Sequence, residues 1–164
     1  TKSGLLTAQK NQEYIQLNFP VVPEEETVPP LGLIDSLNIN PVYIGKNAFD
    51  YIIDVESEEI VKNIVPDFTK LMKIPMRGVI VTARSAEYDF VSRFFAPGIG
   101  IFEDPVTGSA HCCLAVYWKK KLGKDEFLAY QASKRGGVLK VQVRDERVLI
   151  SGKAVTIVEG NLLH

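Results

Sequence analysis

The chain has 164 residues, of which 46% are hydrophobic and 24% are charged, a composition typical of a globular domain with its own core. Lysine and arginine number 19 against 20 aspartates and glutamates, and the interspersed signs leave no basic face for a nucleic-acid backbone, which excludes that class of partner. No apolar run approaches the roughly 20 residues that span a bilayer, and the first residues lack a signal-peptide layout. We therefore expect a cytoplasmic protein with no membrane partner.

The first segment, Gly4 to Phe19, alternates apolar and polar residues on both sides of a turn-like polar cluster, which predicts two antiparallel strands. A domain seldom begins with an edge hairpin, so we expect residues 1–20 to be terminal strands that belong with an absent amino-terminal half. Pro20 to Pro30 hold four prolines and three consecutive glutamates, a composition that neither a helix nor a central strand accepts. The chain therefore divides into these strands, a linker at 21–30 and a carboxyl-terminal domain at 31–164.

The domain after the linker is predicted to contain many short strands and few helices. Strands are expected where β-branched and aromatic residues cluster between turn residues, at Pro41–Ile44, Tyr51–Val55, Gly78–Thr82, Phe90–Phe95, Phe127–Ala132, Val138–Val143, Val148–Ser151 and Ala154–Val158. Short helices are expected at Leu31–Leu37, Ser57–Ile64 and Asp67–Met72. This mixture predicts an α+β fold with antiparallel pairing, in which the last strand is a candidate to return to the absent half.

One long helix is predicted from Thr107 to Leu122. Its segment His111–Trp118 is apolar on almost every side, which is typical of a helix enclosed by other structure. Lys119 to Lys121 follow at the carboxyl end, where cations favour the helix dipole, and Gly123 suits a helix cap. We therefore expect this helix to be buried within the domain.

The segment just before this helix combines an anion-binding turn with an acidic side chain. The first turn of a helix has unpaired N–H groups that favour a carboxylate or a phosphate, and Gly108 lets such a group approach the backbone closely. Asp104 lies just before that turn, near the reacting carbon or amine of a bound substrate. The helix dipole favours its ionised form, which suits it to bind an ammonium group or accept a proton. The alternative is that Asp104 or Thr107 only caps the helix.

Three motifs carry a resemblance to a known family. The runs SRFFAP, EDPVTGSAHC and QASKRGG resemble the carboxyl-terminal signature of the phenazine-biosynthesis-protein-F-like (PhzF-like) family, at Ser92–Pro97, Glu103–Cys112 and Gln131–Gly137. The closing Gly152–Val155 and Glu159–Gly160 are similar to its final strands. Thr1–Gly4 resembles a segment near the end of its first half, so the likeness spans nearly all of the chain.

The resemblance implies a diaminopimelate-epimerase-like fold. Members have two pseudo-symmetric halves, each with a central helix wrapped by a mostly antiparallel sheet, and the active site lies between the halves. It further implies a cofactor-independent isomerase or epimerase that transfers a proton on a small carboxylate substrate, with neither a metal nor an organic cofactor. This chain would carry half of that site, with the amino-terminal half as its partner and a homodimer as a possible assembly. The family's principal proton-shuttling glutamate belongs to the first half, so we expect little turnover by residues 1–164 alone.

The same resemblance assigns roles to individual residues. Asp104 would contact substrate as the catalytic residue, and Gly108 and Ser109 would bind its carboxylate through backbone N–H groups, with help from the Ser109 hydroxyl. Thr107 and His111 complete the substrate-binding set. For His111 the alternative is a packed histidine that supports the site without touching substrate. Resemblance does not assign phenazine synthesis itself.

Other readings remain beside the isomerase. A small-carboxylate-binding module or an inactive homologue would keep the same pocket without proton transfer.

His111, Cys112 and Cys113 point in different directions from a helix, which excludes a shared metal ion. Either cysteine could be a nucleophile at the helix start, although apolar neighbours favour core packing. Arg93, between aromatic residues, is expected to pair with an acid rather than with substrate, and Glu103 could be only an N-terminal helix charge.

Overall fold

The computed structural model describes residues 5–161, and within them a single ten-stranded sheet surrounds one long helix. The strands are β1 (Thr7–Asn11), β2 (Tyr14–Pro20), β3 (Glu25–Glu26), β4 (Pro41–Lys46), β5 (Asp50–Val55), β6 (Gly78–Arg84), β7 (Phe90–Phe95), β8 (Glu126–Gln131), β9 (Gly137–Arg144) and β10 (Arg147–Lys153). The helices are α1 (Leu33–Leu37), α2 (Glu58–Asn63), α3 (Phe68–Leu71), a 3₁₀ turn at Pro97–Ile99 and α4 (Gly108–Leu122). Of these helices, none in the described chain has the length and apolar character that crossing a membrane requires.

The sheet is mixed, with strand order β1-β2-β10-β9-β8-β7-β6-β5-β4-β3. Neighbouring strands are antiparallel except β5 with β6 and β7 with β8. Each parallel pair is joined by a helical crossover, α2 and α3 in the first case and α4 in the second, as parallel connections require. The predicted α+β class is confirmed, and the expected antiparallel pairing is correct for all but these two pairs.

Helix α4 packs against one face of the sheet. Its buried residues join side chains from β5 to β10 in one apolar cluster, where Phe90 stacks on Trp118 with ring centroids 5.6 Å apart. Gly123 ends the helix in left-handed conformation with φ of 65°, and its N–H donates to the Lys119 carbonyl. The predicted bounds and burial of this helix are confirmed, and burial on nearly all sides explains its unbroken apolar segment.

The opposite face of β5, β6 and β7 is covered by α1, α2 and α3. Leu33, Leu37, Val61 and Leu71 are buried there against Val79 and its neighbours. Strand β5 is consequently buried at every position, whereas β8, covered on one face only, alternates exposed and buried residues. Side-chain caps fix two of the predicted helix starts, since Ser57 accepts from the amide of Ile60 and Asp67 from that of Lys70.

No strand forms at Ala154–Val158 within residues 5–161, and the return of this segment to the absent half stays a prediction. The chain leaves the sheet after Lys153, and Val155, Ile157 and Val158 are more than four-fifths exposed, at 82%, 84% and 83%. The apolar pattern was typical of a strand, but β10 is already paired with β2 on one side and β9 on the other, so no sheet edge was open beside it.

The amino-terminal hairpin forms as predicted and continues the same sheet. Its second strand pairs with β10 along Tyr14–Pro20, while both faces of β1 are exposed. Residues 1–4, where the first strand was expected to start, lie outside the described residues. The linker at 21–30 contains the two-residue edge strand β3, which pairs with β4. The assignment of residues 1–20 to a separate half stays a prediction.

Candidate active site

The turn between β7 and α4 holds the predicted catalytic residue. The chain leaves β7, forms a 3₁₀ turn closed by a bridge between Ala96 and Ile101, and returns to the sheet where the amide of Asp104 donates to the Phe94 carbonyl at 3.1 Å. Asp104 is half-buried at the start of this return. These bonds fix its backbone about one turn before α4 begins at Gly108.

A hydrogen-bond network holds the Asp104 side chain. Thr107 Oγ1 donates to Asp104 Oδ2 at 2.8 Å. The fully buried Gln131 accepts from the Thr107 amide at 2.7 Å and donates through Nε2 to the Asp104 carbonyl at 2.6 Å and to Thr107 Oγ1 at 3.1 Å. Thr107 is the N-cap residue of α4, yet its side chain makes no capping bond to the helix. The capping alternative for Asp104 and Thr107 therefore does not describe this turn.

The first amides of α4 remain open. Within residues 5–161, the amides of Thr107 and His111 have partners, whereas those of Gly108 and Ser109 have none. A Cβ atom added at Gly108 would meet only the Phe19 ring, at 3.9 Å, and the φ of this glycine is not in the left-handed region. The fold itself therefore does not require glycine at position 108.

The QASKRGG segment, Gln131–Gly137, packs against the turn before α4. Ser133 Oγ donates to the Pro105 carbonyl at 2.8 Å, and a Cβ at Gly137 would come within 2.4 Å of Val106 Cγ2. Gly137 is thus needed for the close approach of the QASKRGG segment to the turn before α4. The QASKRGG motif, which carried part of the family resemblance, therefore has a packing function in this structure. Its first residue, Gln131, also contacts Asp104, and sequence reasoning did not predict that contact.

His111 is packed behind the first turn. Its side chain has 0% exposure, lies against Phe90, and places Nδ1 2.8 Å from the Thr107 carbonyl, so Nδ1 carries the proton and donates. Burial lowers the pKa of His111 to about 4, which keeps the ring neutral. This placement favours the packed alternative, in which the histidine supports the Thr107 carbonyl.

Both cysteines are buried, which disfavours their reactive thiolate form. Cys112 and Cys113 are both buried in the α4 core, and burial raises the pKa of each thiol to about 12. Cys112 Sγ donates to the Gly108 carbonyl at 3.5 Å. Within residues 5–161, no group of three or more His, Cys, Asp or Glu side chains is arranged to hold a metal ion.

Arg93 pairs with an acid, as predicted. Its guanidinium binds Glu103 through two bonds of 2.6 and 3.0 Å, lies over the Phe95 ring, and donates to the Ile64 carbonyl at 2.7 Å. This pair ties the residue before Asp104 to the sheet and to the end of α2. Glu103 is therefore an anchor for the turn rather than an N-terminal helix charge.

A second arginine lies beside the open amides, and sequence reasoning missed it. Arg77 precedes β6 and binds Asp50, the first residue of β5, while its Nη2 lies 3.4 Å from Ser109 Oγ. Asp50 and Arg77 are 27 positions apart, and only the parallel register of β5 with β6 brings them together. The available signal was an arginine placed directly before a continuous apolar run.

Comparisons with known proteins show which family the chain belongs to. The family model described as "Phenazine biosynthesis-like protein" matches residues 1–160. The chain belongs to the phenazine biosynthesis-like family. Relatives include an uncharacterized isomerase of Halalkalibacterium halodurans, 55% identical over 166 residues, and one of Pseudomonas aeruginosa, 44% identical over 162 residues. Each alignment covers 99% of this chain but only 63% and 62% of the relative, so the chain spans less than two thirds of these curated proteins.

Solved structures of the family have the same fold. A PhzF-family protein of Enterococcus faecalis superposes with a TM-score of 0.85 at 39% identity, covering 89% of this chain and 56% of that one. A phenazine biosynthesis PhzC/PhzF protein of Clostridium difficile gives a TM-score of 0.85 at 34% identity, covering 96% and 61%. The phenazine biosynthesis-like fold of this chain is thereby shown, together with its membership of the family.

Proposed function

We propose that this chain carries one half of the active site of a cofactor-independent isomerase that transfers a proton on a small carboxylate. One observation carries the proposal: the amides of Gly108 and Ser109, which have no protein partner within residues 5–161, lie at the start of α4 close in sequence to the oriented carboxylate of Asp104. Isomerase names among the relatives support the reaction class. The fold then corresponds to one half of a diaminopimelate-epimerase-like enzyme, with α4 as its central helix.

The proposed chemistry follows from the positions of these groups. The substrate carboxylate accepts hydrogen bonds from the amides of Gly108 and Ser109, at the positive end of the α4 dipole, with Ser109 Oγ as a third donor. This places the adjacent carbon or amine toward Asp104. The carboxylate of Asp104 accepts a proton from that atom, or stabilises an ammonium there, while Thr107 Oγ1 holds one of its oxygens in place.

The resemblance assigns a second proton-transferring group to an amino-terminal half, outside the residues that the structure describes. General acid–base catalysis needs each proton donor or acceptor within hydrogen-bond reach of the substrate. The relatives are longer than this chain, with only 63% and 62% of their lengths matched, which leaves room for a segment that supplies that group. We propose that an amino-terminal half closes over Asp104, that residues 1–164 alone have little turnover, and that the intact protein forms a homodimer.

The competing function is a small-carboxylate-binding module or an inactive homologue with the same amides. The test incubates the intact protein, including any segment that precedes residue 1, with a panel of small carboxylates in D₂O. Loss of a C–H signal by proton NMR reports proton transfer. For Asp104→Asn we expect the exchange rate to fall by about 100-fold or more while carboxylate binding is retained.

A control and two contrary outcomes complete the test. Asp125→Asn alters an exposed aspartate that pairs with Lys119 near the opposite end of α4, and it should exchange at the parental rate. If Asp104→Asn also exchanges at that rate, Asp104 is not the catalytic residue. If the parent protein binds carboxylates but exchanges none of them, the binding module is the correct function.

A further inference from the structure

A buried ion pair lies at the edge of the open amides. The Asp50 side chain is 1% exposed and the Arg77 side chain 33% exposed, so the guanidinium lies between the carboxylate and solvent. Arg77 Nε donates to Asp50 Oδ1 at 2.7 Å and its Nη2 donates to Oδ2. The pair is therefore a fixed dipole whose positive end faces outward, beside the first turn of α4.

Several contacts hold this guanidinium in one orientation. Its carbon lies 4.8 Å from the centre of the Phe49 ring and 5.9 Å from that of Phe94. Asp50 is fixed in turn by Asn47, whose Oδ1 accepts from the amides of Phe49 and Asp50 at 2.7 and 2.8 Å. A bidentate, aromatic-packed arginine loses little freedom when it binds a further acceptor. The site is thus organised before any ligand arrives.

The contact with Ser109 directs that hydroxyl toward a ligand. Arg77 Nη2 lies 3.4 Å from Ser109 Oγ, and an arginine can only donate, so the serine oxygen is the acceptor. The Ser109 proton is then turned away from Arg77 and is available to a carboxylate. An oxygen accepting that proton would lie within about 6 Å of the guanidinium, close enough for opposite charges to attract appreciably.

We propose that Arg77 is a specificity-determining residue of this site, which selects ionised carboxylates over neutral ligands of the same shape and orients the Ser109 hydroxyl. The inference rests on the proposed function, because it needs the carboxylate to bind at the amides of Gly108 and Ser109. It assigns recognition of the ligand's charge to an ion pair between the first residue of β5 and the residue just before β6, outside the motif that contains Asp104. Arg77 Nη1 makes no hydrogen bond within residues 5–161 and can donate to the ligand as well.

The test is an NMR titration of the intact protein with acetate and with acetamide, at constant ionic strength, following the Gly108 and Ser109 amide signals. Because Arg77→Gln alone would leave Asp50 buried and unpaired, the main variant replaces both partners, Asp50→Asn with Arg77→Gln. Its dissociation constant for acetate should rise about tenfold, while that for acetamide changes less than about twofold. Arg77→Lys, which keeps the cation, should stay within about threefold of the parent for acetate.

Arg84→Gln is the matched control. Arg84 ends the same strand β6 and pairs with Asp89, far from Ser109, so its loss should leave acetate binding unchanged. Equal acetate binding by the parent and the double variant would overturn the role of Arg77 and leave the proposed function intact. Equal weakening of both probes would mean that the pair is only structural. If acetate shifts neither amide in the parent protein, the carboxylate site itself fails.

Discussion

Thr107 donates a hydrogen bond to Asp104, with 2.8 Å between Oγ1 and Oδ2, and Gln131 contacts both residues. Thr107 is 5% exposed and Gln131 is fully buried. The network thus couples the stability of the turn to the orientation of a half-buried carboxylate. Removing the Thr107 hydroxyl should affect both the stability of the turn and the orientation of the Asp104 carboxylate.

Thr107→Val should therefore lower the free energy of unfolding by about 1–3 kcal/mol, because Gln131 Nε2 loses a buried acceptor. The exchange of substrate protons in D₂O should slow by about tenfold, because one Asp104 oxygen loses its donor. Urea unfolding and the NMR exchange assay measure the two effects. Thr107→Ser, which keeps the hydroxyl, should retain most of the exchange rate. If Thr107→Val has the stability and exchange rate of the parent protein, the network contributes to neither property.

Gly108→Ala separates the fold from ligand binding. Because a Cβ there would contact only the Phe19 ring, at 3.9 Å, the melting temperature should stay within about 2 °C of the parent. Acetate binding should weaken by about tenfold, because the added methyl blocks the approach to the amide. As a contrast, Gly78→Ala would place its Cβ 2.5 Å from Phe94 Cζ and should destabilise the protein strongly. Unchanged acetate binding by Gly108→Ala would place the ligand elsewhere.

His111 should make stability depend on pH. Its folded pKa is about 4 against an ordinary value of 6.5, so the unfolded state binds the proton first and stability falls as pH drops from about 6.5 to about 4. At pH 5 the loss should be about 2 kcal/mol relative to pH 7.5. Urea unfolding at the two pH values measures it, and His111→Gln should lack this component. If the parent protein and His111→Gln lose the same free energy of unfolding between pH 7.5 and pH 5, His111 is not a buried, neutral histidine.

The two thiols should resist alkylation in the native protein. With a pKa of about 12 and burial in the α4 core, Cys112 and Cys113 have almost no reactive thiolate at pH 8. Mass spectrometry after an hour with iodoacetamide should show little adduct, whereas protein unfolded in urea should take up two. Rapid labelling of native protein at either cysteine would instead favour cysteine-dependent chemistry.

Local patterns predicted most of the elements. The long helix α4 was predictable because a segment that is apolar on every side, with lysines and a glycine after it, describes a buried helix and its end. The hairpin and the capped helices α2 and α3 likewise depend on neighbours within a few residues. Ala154–Val158 forms no strand within the described residues, because strand formation requires an open partner edge as well as a local pattern.

The site was predictable only in part. Asp104, Gly108 and Ser109 were found because they lie together in one segment. Gln131 and Arg77 were missed because they reach the site from β8 and from the start of β6, through pairings that a sequence does not display. The short apolar runs Tyr51–Ile53 of β5 and Val79–Val81 of β6 were the one hint of a parallel, doubly covered pair. Long-range register, not residue preference, brings these residues to the turn.

The central claim is that a carboxylate binds the amides of Gly108 and Ser109 next to Asp104. A crystal structure of the intact protein with acetate bound tests it most directly. We predict that an acetate oxygen will lie within about 3.2 Å of those amide nitrogens, with the methyl group toward Asp104. The claim is contradicted if both amides donate to protein atoms in the intact protein while the Asp104 carboxylate projects into bulk solvent.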